Sequence, residues 1–228
     1  MLNTILSNQV DSLSYCSDEN AMSDLLSFGV TVLHLKGDRK SFEQLRTELL
    51  AECDYDMERA PVIKDIHQNF SQKRIFKNIE LIIKLKEKIE EEILQEVYEK
   101  FSFVPSSGLT FELPNLQKYE YIDTDSAFAI PPHVDFKACV EVIAVLLLEG
   151  DSQFYAAEDR ECNGERYVDA KPLDIILMRG YGFQGIEKRP VHYIKKIQEG
   201  KVRTSLGFRM LGTNQEDIMK MERALHSP

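Results

Sequence analysis

The residue types at positions 133, 135 and 192 could together hold a metal ion. His133 and Asp135 are separated by one residue, and side chains alternate along an extended chain, so both point the same way. An imidazole and a carboxylate on one side supply two thirds of a 2-His-1-carboxylate site for Fe(II), which leaves other metal positions open. His192, far downstream, is the candidate third ligand.

Each of these residues also has an ordinary structural explanation. An H-x-D motif alone recurs by chance, and His133 could be a hydrogen-bonded surface histidine. His192 lies between Val191 and Tyr193 in an apolar stretch, where a buried and satisfied histidine is common. Two prolines precede His133 and cannot donate to a central strand ladder, so we expect the H-x-D motif at a sheet rim.

A second extended run carries basic and hydroxyl side chains on one face. By alternation, Arg203, Ser205, Gly207 and Arg209 face the same way. An arginine that faces an interior needs an anionic partner, because an unpaired buried charge costs several kcal/mol. A guanidinium grips a carboxylate with two charge-assisted hydrogen bonds. Arg203 could instead form a salt bridge to a local carboxylate, and Arg209 could be a second ligand contact or a surface ion pair.

Together, His133, Asp135, His192, Arg203 and Ser205 resemble the signature of the Fe(II)/2-oxoglutarate-dependent dioxygenases: H-x-D, a distal H, then R-x-S. The resemblance covers roughly residues 109–211. It implies Fe(II) as the metal, 2-oxoglutarate as co-substrate and O2 as oxidant. It also implies that His133, Asp135 and His192 bind the metal, while Arg203 and Ser205 bind the distal carboxylate of 2-oxoglutarate.

The same resemblance suggests further roles upstream and at the metal. Gln117 and Tyr119 share a face where family members carry an N-x-Y pair, so both are candidates for 2-oxoglutarate binding, with Arg209 as another. Asp174 stands where members carry Gly-Asp before a strand, and we expect it to shape a turn. Halogenating relatives lack the carboxylate ligand, so Asp135 favours hydroxylation, or a demethylation or desaturation that begins in the same way.

The periodicity predicts a single domain over 1–228 with an α+β fold. The first part, 1–105, is expected to be mostly helical, with an early strand at 28–35 and helices at 21–27, 42–52 and 71–101. After a turn at 105–108 the period changes to two, and the core over 106–212 precedes a final helix in 213–228. The strands are predicted at 109–113, 116–122, 127–130, 138–148, 152–157, 166–169, 174–179, 190–197 and 201–211. Such a pattern favours a double-stranded β-helix, or jelly-roll barrel. The resemblance to the dioxygenases implies that the helical half packs on its outer sheet, where that family commonly has a long helix.

Composition and charge indicate which binding partners and which cellular compartment to expect. The net charge of −10 and the pI of about 5.1 disfavour broad binding to nucleic acid or to anionic membranes. Four scattered cysteines fit a reducing compartment, and the N-terminus shows no signal peptide. The longest apolar run, 142–148, is too short to span a bilayer. We therefore expect a soluble cytoplasmic protein, and the sequence leaves its oligomeric state open.

Three functions remain open at this stage. The first is hydroxylation of a small molecule, such as an amino acid or natural product, which suits a compact acidic chain. The second is demethylation by an enzyme resembling the AlkB-type nucleic-acid repair enzymes, whose closing motif is R-x-N-x-T-x-R. Arg203 and Arg209 keep both arginines of that motif, but Ser205 and Gly207 replace its Asn and Thr. The third is a jelly-roll protein that binds a metal or ligand without turnover.

Overall fold

Five helices and twelve strands in two antiparallel sheets make up the described part of the chain, an α+β fold. The structure is a computed structural model that describes residues 2–54, 56–59, 70–105, 109–123 and 125–226. The helices are α1 (Leu2–Asp11), α2 (Ala21–Ser27), α3 (Glu43–Ala51), α4 (Ile79–Ile93, continued by a π-helical segment over Leu94–Glu99) and α5 (Gln215–His226). The strands are β1 (Tyr15–Ser17), β2 (Val30–Leu35), β3 (Glu58–Arg59), β4 (Ser71–Lys73), β5 (Asn115–Glu120), β6 (Phe128–His133), β7 (Cys139–Glu149), β8 (Phe154–Ala157), β9 (Arg166–Tyr167), β10 (Ile175–Arg179), β11 (Val191–Lys195) and β12 (Val202–Leu211).

The major sheet has the order β1-β2-β10-β7-β12-β5-β4-β3, and the minor sheet has the order β6-β11-β8-β9. Strand β7 lies near the middle of the major sheet, between β10 and β12, where both of its faces are covered. A strand covered on both faces reads as a continuous apolar run, which is how the sequence predicted this strand. The predicted strands that follow residue 116 are all present, with ends shifted by a few residues.

Alternation along β7 divides its side chains between two apolar cores. Val142, Ala144 and Leu146 pack with side chains of α1, α3 and α4 in the core between the major sheet and the helices. Ile143 and Val145 pack instead with side chains of β6, β8 and β11, in the core between the two sheets. Burial of each of the valine, leucine and isoleucine side chains stabilises the fold by roughly 1.5–3 kcal/mol. The helices therefore back the major sheet, while the second core ties it to the minor sheet.

The long predicted helix at 71–101 is wrong in its first part. Residues 71–73 form β4, which pairs with β5, and the helix begins only at Ile79. Asn78 caps this helix, since its side chain accepts a hydrogen bond from the backbone amide of Leu81. Ile75, expected on the buried face, is 84% exposed. The range predicted as one helix, 71–101, thus contains a strand, a connection and a helix in the structure.

A buried ion pair explains where this helix starts. The Glu52 carboxylate lies 2.9 Å from Nζ of Lys73, and both side chains are buried. Glu52 also accepts hydrogen bonds from the backbone amides of Lys77 and Asn78, just before α4. These contacts hold the chain in a non-helical connection. They join positions far apart in sequence, so helical periodicity could not indicate them.

Other differences concern the ends of the chain and of the sheets. Helix α1 and strands β1 and β3 were not predicted, and 109–113 is irregular, with the Glu112 amide donating to the Arg209 carbonyl. The N-terminal half therefore supplies strands at both edges of the major sheet as well as helices. Most of the predicted turn at 105–108 lies outside the described residues. Within the described ranges, no helix is both long enough and apolar enough to cross a membrane.

Candidate metal centre

Two neighbouring strands bring the distant histidines together. His133 ends β6, His192 lies in β11, and the two are direct partners in the antiparallel register, with ring centroids 4.3 Å apart. Nδ1 of His133 lies 2.9 Å from the Pro131 carbonyl oxygen, and Nδ1 of His192 lies 3.3 Å from that of Pro190. A carbonyl oxygen only accepts, so each Nδ1 carries the proton in these bonds. Each Nε2 then keeps a lone pair that can bind a metal.

Asp135 completes the cluster. One potential ligand atom each from His133, Asp135 and His192 lies within 4.8 Å of the others. Oδ2 of Asp135 is 3.5 Å from Nε2 of His192, and this buried oxygen has no hydrogen-bond partner among the described residues. Metal–ligand bonds of about 2.0–2.2 Å place donor atoms only a few ångström apart. The three side chains and the unsatisfied oxygen therefore fit a shared metal ion.

The protonation states of the three side chains suit metal binding. Burial lowers the pKa of His133, while burial and the adjacent His133 lower that of His192 to about 4. Burial alone would raise the pKa of Asp135, but Arg209 and the two imidazoles outweigh it and hold the pKa at about 2. Near neutral pH the imidazoles are neutral and the carboxylate is ionised, which are the forms that bind metals.

Arg209 and Arg189 hold Asp135 from two sides. Nε of Arg209 lies 3.3 Å from Oδ1 of Asp135, and Nη1 of Arg189 donates to the main-chain oxygen of Asp135. Gly207 leaves room for this arrangement, since a Cβ there would lie 3.1 Å from Nη1 of Arg209. The ion pair of Arg209 is thus made with the candidate ligand, and Oδ2 of Asp135 stays free for the metal.

Arg203 lies deeper between the sheets and is 1% exposed. Its Nε donates to the Ser152 carbonyl oxygen at 2.6 Å, and its Nη1 donates to Oγ of Ser205 at 2.9 Å. No described carboxylate forms an ion pair with it, so the alternative of a local salt bridge finds no support in the described part of the chain. Nη2 of Arg203 and Oγ of Ser152 are buried and have no hydrogen-bond partner among the described residues. A buried guanidinium with an open donor fits an anionic ligand.

Tyr119 and Gln117 lie opposite this arginine on β5. In the β5–β12 register, Tyr119 is the partner of Arg203 and Gln117 that of Ser205. The Arg203 guanidinium carbon is 4.9 Å from the centroid of the Tyr119 ring, and the Tyr119 hydroxyl donates to Oε1 of Gln117 at 3.1 Å. Burial raises the pKa of Tyr119 to about 12, so the hydroxyl remains a donor. The predicted group of polar side chains is therefore assembled.

A cavity of about 820 Å³ opens beside the cluster. Four of the predicted site residues lie on its wall: Gln117, His133, Asp135 and Arg209. Four others, Tyr119, His192, Arg203 and Ser205, are buried and are not among the wall residues. A ligand in the cavity can therefore contact the H-x-D motif directly.

Sequence reasoning missed several side chains of this region. Ser152 follows β7 in a polar turn, and nothing in its surroundings distinguished it from an ordinary turn residue. Arg74 and Arg160 line the cavity from segments far from the motif. Arg189 was also missed, although its position three residues before His192 was a usable signal. Asp174 is confirmed as structural, since it accepts hydrogen bonds from the amides of Leu35 and Lys171.

No protein-family model and no curated protein matches the sequence. Solved structures do match. A prolyl hydroxylase from Trichoplax adhaerens, in complex with a hypoxia inducible factor peptide fragment, is 14% identical with a TM-score of 0.58; the match covers 99% of this chain and 96% of that one. JOX2 in complex with 2OG, Fe and JA is 12% identical with a TM-score of 0.61, over 84% of this chain and 70% of that one. A 2OG-Fe(II) oxygenase family protein from Burkholderia pseudomallei is 11% identical with a TM-score of 0.53, over 89% and 97%.

Identities this low show a shared fold and no more. The match nevertheless extends over most of the chain, well beyond the segment that carries the motif. The chain has the fold of solved 2OG-Fe(II) oxygenases, and it carries the His133–Asp135–His192 cluster within that fold.

Proposed function

We propose that this chain is an Fe(II)/2-oxoglutarate-dependent oxygenase that hydroxylates an unactivated C–H bond of a small molecule. The observation that carries the proposal is the meeting of His133, Asp135 and His192, with ligand atoms within 4.8 Å of one another. The fold shared with solved 2OG-Fe(II) oxygenases supports it independently. We also infer that the two sheets form the jelly-roll barrel expected from the sequence, in one domain over 1–228.

The residues divide into a metal end and a co-substrate end. His133, Asp135 and His192 would hold Fe(II), and the free Oδ2 of Asp135 is one of the donors. Arg203, with its open Nη2, would bind the distal carboxylate of 2-oxoglutarate. Ser205, joined to Arg203 at 2.9 Å, and the Tyr119 hydroxyl would add hydrogen bonds to the co-substrate.

When bound, Fe(II) with 2-oxoglutarate and O2 supplies the oxidation of a C–H bond, and 2-oxoglutarate leaves as succinate and carbon dioxide. The chain's own task is to position these groups and to exclude water. The register of β6 and β11 fixes the two imidazoles. Arg209 and Arg189 fix Asp135, since they bind its Oδ1 and its main-chain oxygen respectively.

A small molecule is the substrate that suits this site best. A cavity of about 820 Å³ lies within the range of about 300–1,000 Å³ that is typical of small-molecule sites. The net charge of −10 opposes close approach of a nucleic-acid backbone. We infer a cytoplasmic enzyme, in keeping with the scattered free cysteines.

Succinate release tests the proposal. The purified protein would be incubated with Fe(II), 2-oxoglutarate and a metabolite panel in air, and succinate would be quantified. We expect Fe(II)-dependent succinate that rises with one class of metabolite. His133→Ala provides the control, because it removes one proposed ligand at a half-buried position. Succinate that is formed equally by this variant would count against the assignment.

A demethylase resembling the AlkB-type repair enzymes is the second candidate. The observation that favours it is the position of Arg209, the second arginine of the R-x-N-x-T-x-R pattern, which lies against Asp135 on the cavity wall. Lys188, Arg189, Lys195, Lys196 and Lys201 supply basic side chains near by in sequence. Retention on methylated single-stranded DNA or RNA, with a steep salt dependence, would favour this candidate.

A binding protein without turnover is the third candidate. Such a protein would bind a metal or a ligand but would release no succinate with any metabolite. Metal binding without 2-oxoglutarate binding would support this candidate, because the open donor of Arg203 would then bind a different anion.

A further inference from the structure

The cavity beside His133, Asp135 and His192 carries more positive charge than the chain as a whole. Its wall has six basic side chains against four acidic ones, whereas the chain has a net charge of −10. Arg209 is neutralised by Asp135, and Arg189 is engaged by the main-chain oxygen of Asp135. Two further arginines on the wall, Arg74 and Arg160, make no ion pair within the described residues. Both side chains are solvent-exposed, and within the described residues their guanidinium groups are available to a ligand.

These two arginines approach the cluster from different sheets. Arg74 directly follows β4 of the major sheet, and Arg160 comes soon after β8 of the minor sheet. Arg74 lies close enough to Arg209 for their charges to interact: burial lowers the pKa of Arg74, and Arg209 lowers it further. Arg74 and Arg160 line the same cavity as His133 and Asp135, so both guanidinium groups border the space beside the candidate metal ligands.

Arg74 and Arg160 are both solvent-exposed and both line the cavity, so an anionic ligand that enters it can reach either guanidinium. Each guanidinium can offer an oxyanion a forked pair of donors. The rest of the wall includes Ile130, Phe136 and Met221, which suit an apolar body. Arg203 is buried and is not among the wall residues, so this position is distinct from the one assigned to the distal carboxylate of 2-oxoglutarate.

We propose that Arg74 and Arg160 form the substrate subsite of this cavity, and that the substrate is a small organic acid with an apolar body. The inference rests on the proposed function for the place of the iron and of 2-oxoglutarate. The carboxylate of the acid binds between the two guanidinium groups, and its apolar part extends along the wall towards the metal. Arg74 and Arg160 thus determine which molecules enter, and the metal ligands determine what happens to them.

Calorimetric titration of the protein loaded with Mn(II) and saturating 2-oxoglutarate tests this subsite. Saturation prevents a probe from binding in the co-substrate position. The probes are a panel of aromatic and aliphatic monocarboxylic acids, each paired with its primary amide. We expect at least one acid to bind about tenfold or more tightly than its amide, because charge-assisted hydrogen bonds are lost in the amide.

Variants test whether the preference for the acid over its amide depends on Arg74 and Arg160. Arg74→Gln and Arg160→Gln should each weaken binding of the acid about tenfold and leave binding of the amide unchanged. Arg74→Lys should restore part of the affinity, since it keeps the charge but loses the forked geometry. Arg166→Gln is the matched control: this exposed arginine pairs with Asp24 and is not on the cavity wall, so acid binding should not change.

Each contrary result has a distinct meaning. If no acid binds, if acids and amides bind equally, or if both glutamine variants keep full affinity, the subsite is wrong. If a methylated single-stranded oligonucleotide binds through the same two arginines and no acid does, the small-acid occupant is wrong. The proposed function has its own test in the visible band of the anaerobic Fe(II)–2-oxoglutarate complex of the wild-type protein. That band can be present when acid binding fails, and acid binding can persist when the band is absent.

Discussion

His133 and His192 are direct partners on adjacent antiparallel strands, β6 and β11. Directly opposed residues in such a pair place their side chains on the same face, which brings the imidazole centroids to 4.3 Å. The register shifts immediately after His192, so that Ile194 pairs with Ile130. A slip of one residue would turn one imidazole to the other face. The separation of the two candidate ligands is therefore set by backbone hydrogen bonds.

His133→Ala should lower the affinity for divalent metal by about a hundredfold or more. Loss of an outer partner of a metal ligand costs about 10–100-fold, and loss of a ligand costs at least as much. His133 is only half-buried, so the fold should persist. Titration with Co(II), followed by its visible absorption, measures the affinity, and circular dichroism checks the fold. An unchanged Co(II) affinity would remove His133 from the ligand set.

Arg203→Lys should raise the KM for 2-oxoglutarate by about tenfold or more while Fe(II) binding changes little. The lysine keeps the charge but loses the fork that reaches Ser152 and Ser205. The loss corresponds to one or two charge-assisted hydrogen bonds. Steady-state kinetics with varied 2-oxoglutarate measures the effect. A fully active variant with an unchanged KM would shift the co-substrate contact to Arg209.

Arg209→Gln should affect metal binding more than 2-oxoglutarate binding, which is the opposite of the effect expected for Arg203→Lys. Arg209 contacts Asp135 at 3.3 Å, and outer partners that orient a metal ligand are worth about 10–100-fold in metal affinity. We therefore expect weaker Co(II) binding and little change in the KM for 2-oxoglutarate. The same two assays measure both quantities. A raised KM with normal Co(II) binding would instead place Arg209 at the co-substrate.

Asp174→Asn should destabilise the protein near neutral pH and flatten its loss of stability in acid. Burial alone raises the pKa of Asp174, but the hydrogen bonds from Arg39 and from the amides of Lys171 and Leu35 outweigh it and lower the pKa. A carboxyl whose pKa is lower in the folded state adds stability above its unfolded pKa of about 3.9. That stability is lost as the pH falls through the folded pKa.

Urea unfolding at several pH values measures this contribution. We expect a difference of about 2 kcal/mol between wild type and Asp174→Asn near pH 7, from hydrogen bonds to a charged group. The difference should shrink below about pH 4. Asp159→Asn is the control, because Asp159 lies in an irregular segment whose hydrogen bonds are local. A difference that stays constant down to low pH would contradict the charge-based account.

The grouping of His133, Asp135 and His192 could be predicted because its signal is largely chemical. One intervening residue fixes the common direction of His133 and Asp135, and the family pattern adds His192 and Arg203. Strand β7 could be predicted for a similar reason, since its apolar run is unbroken. The cluster itself required no knowledge of the helices.

The features that the sequence did not predict depend on contacts between distant segments. The start of α4 is set by Glu52, which binds Lys73 and the amides before Ile79, whereas the residues from 71 onward have helical periodicity by themselves. Asn78 was a usable capping signal. Arg74 and Arg160 line the same cavity only through the arrangement of the two sheets, so no spacing in the sequence could connect them.

The visible spectrum of the anaerobic protein with Fe(II) and 2-oxoglutarate tests the central claim most directly. We expect a weak charge-transfer band of the chelated keto acid in the wild-type protein. The band should be absent in His133→Ala and should need more 2-oxoglutarate in Arg203→Lys. No band in the wild-type protein, or an equal band in His133→Ala, would contradict the assignment of His133, Asp135 and His192 as the iron site.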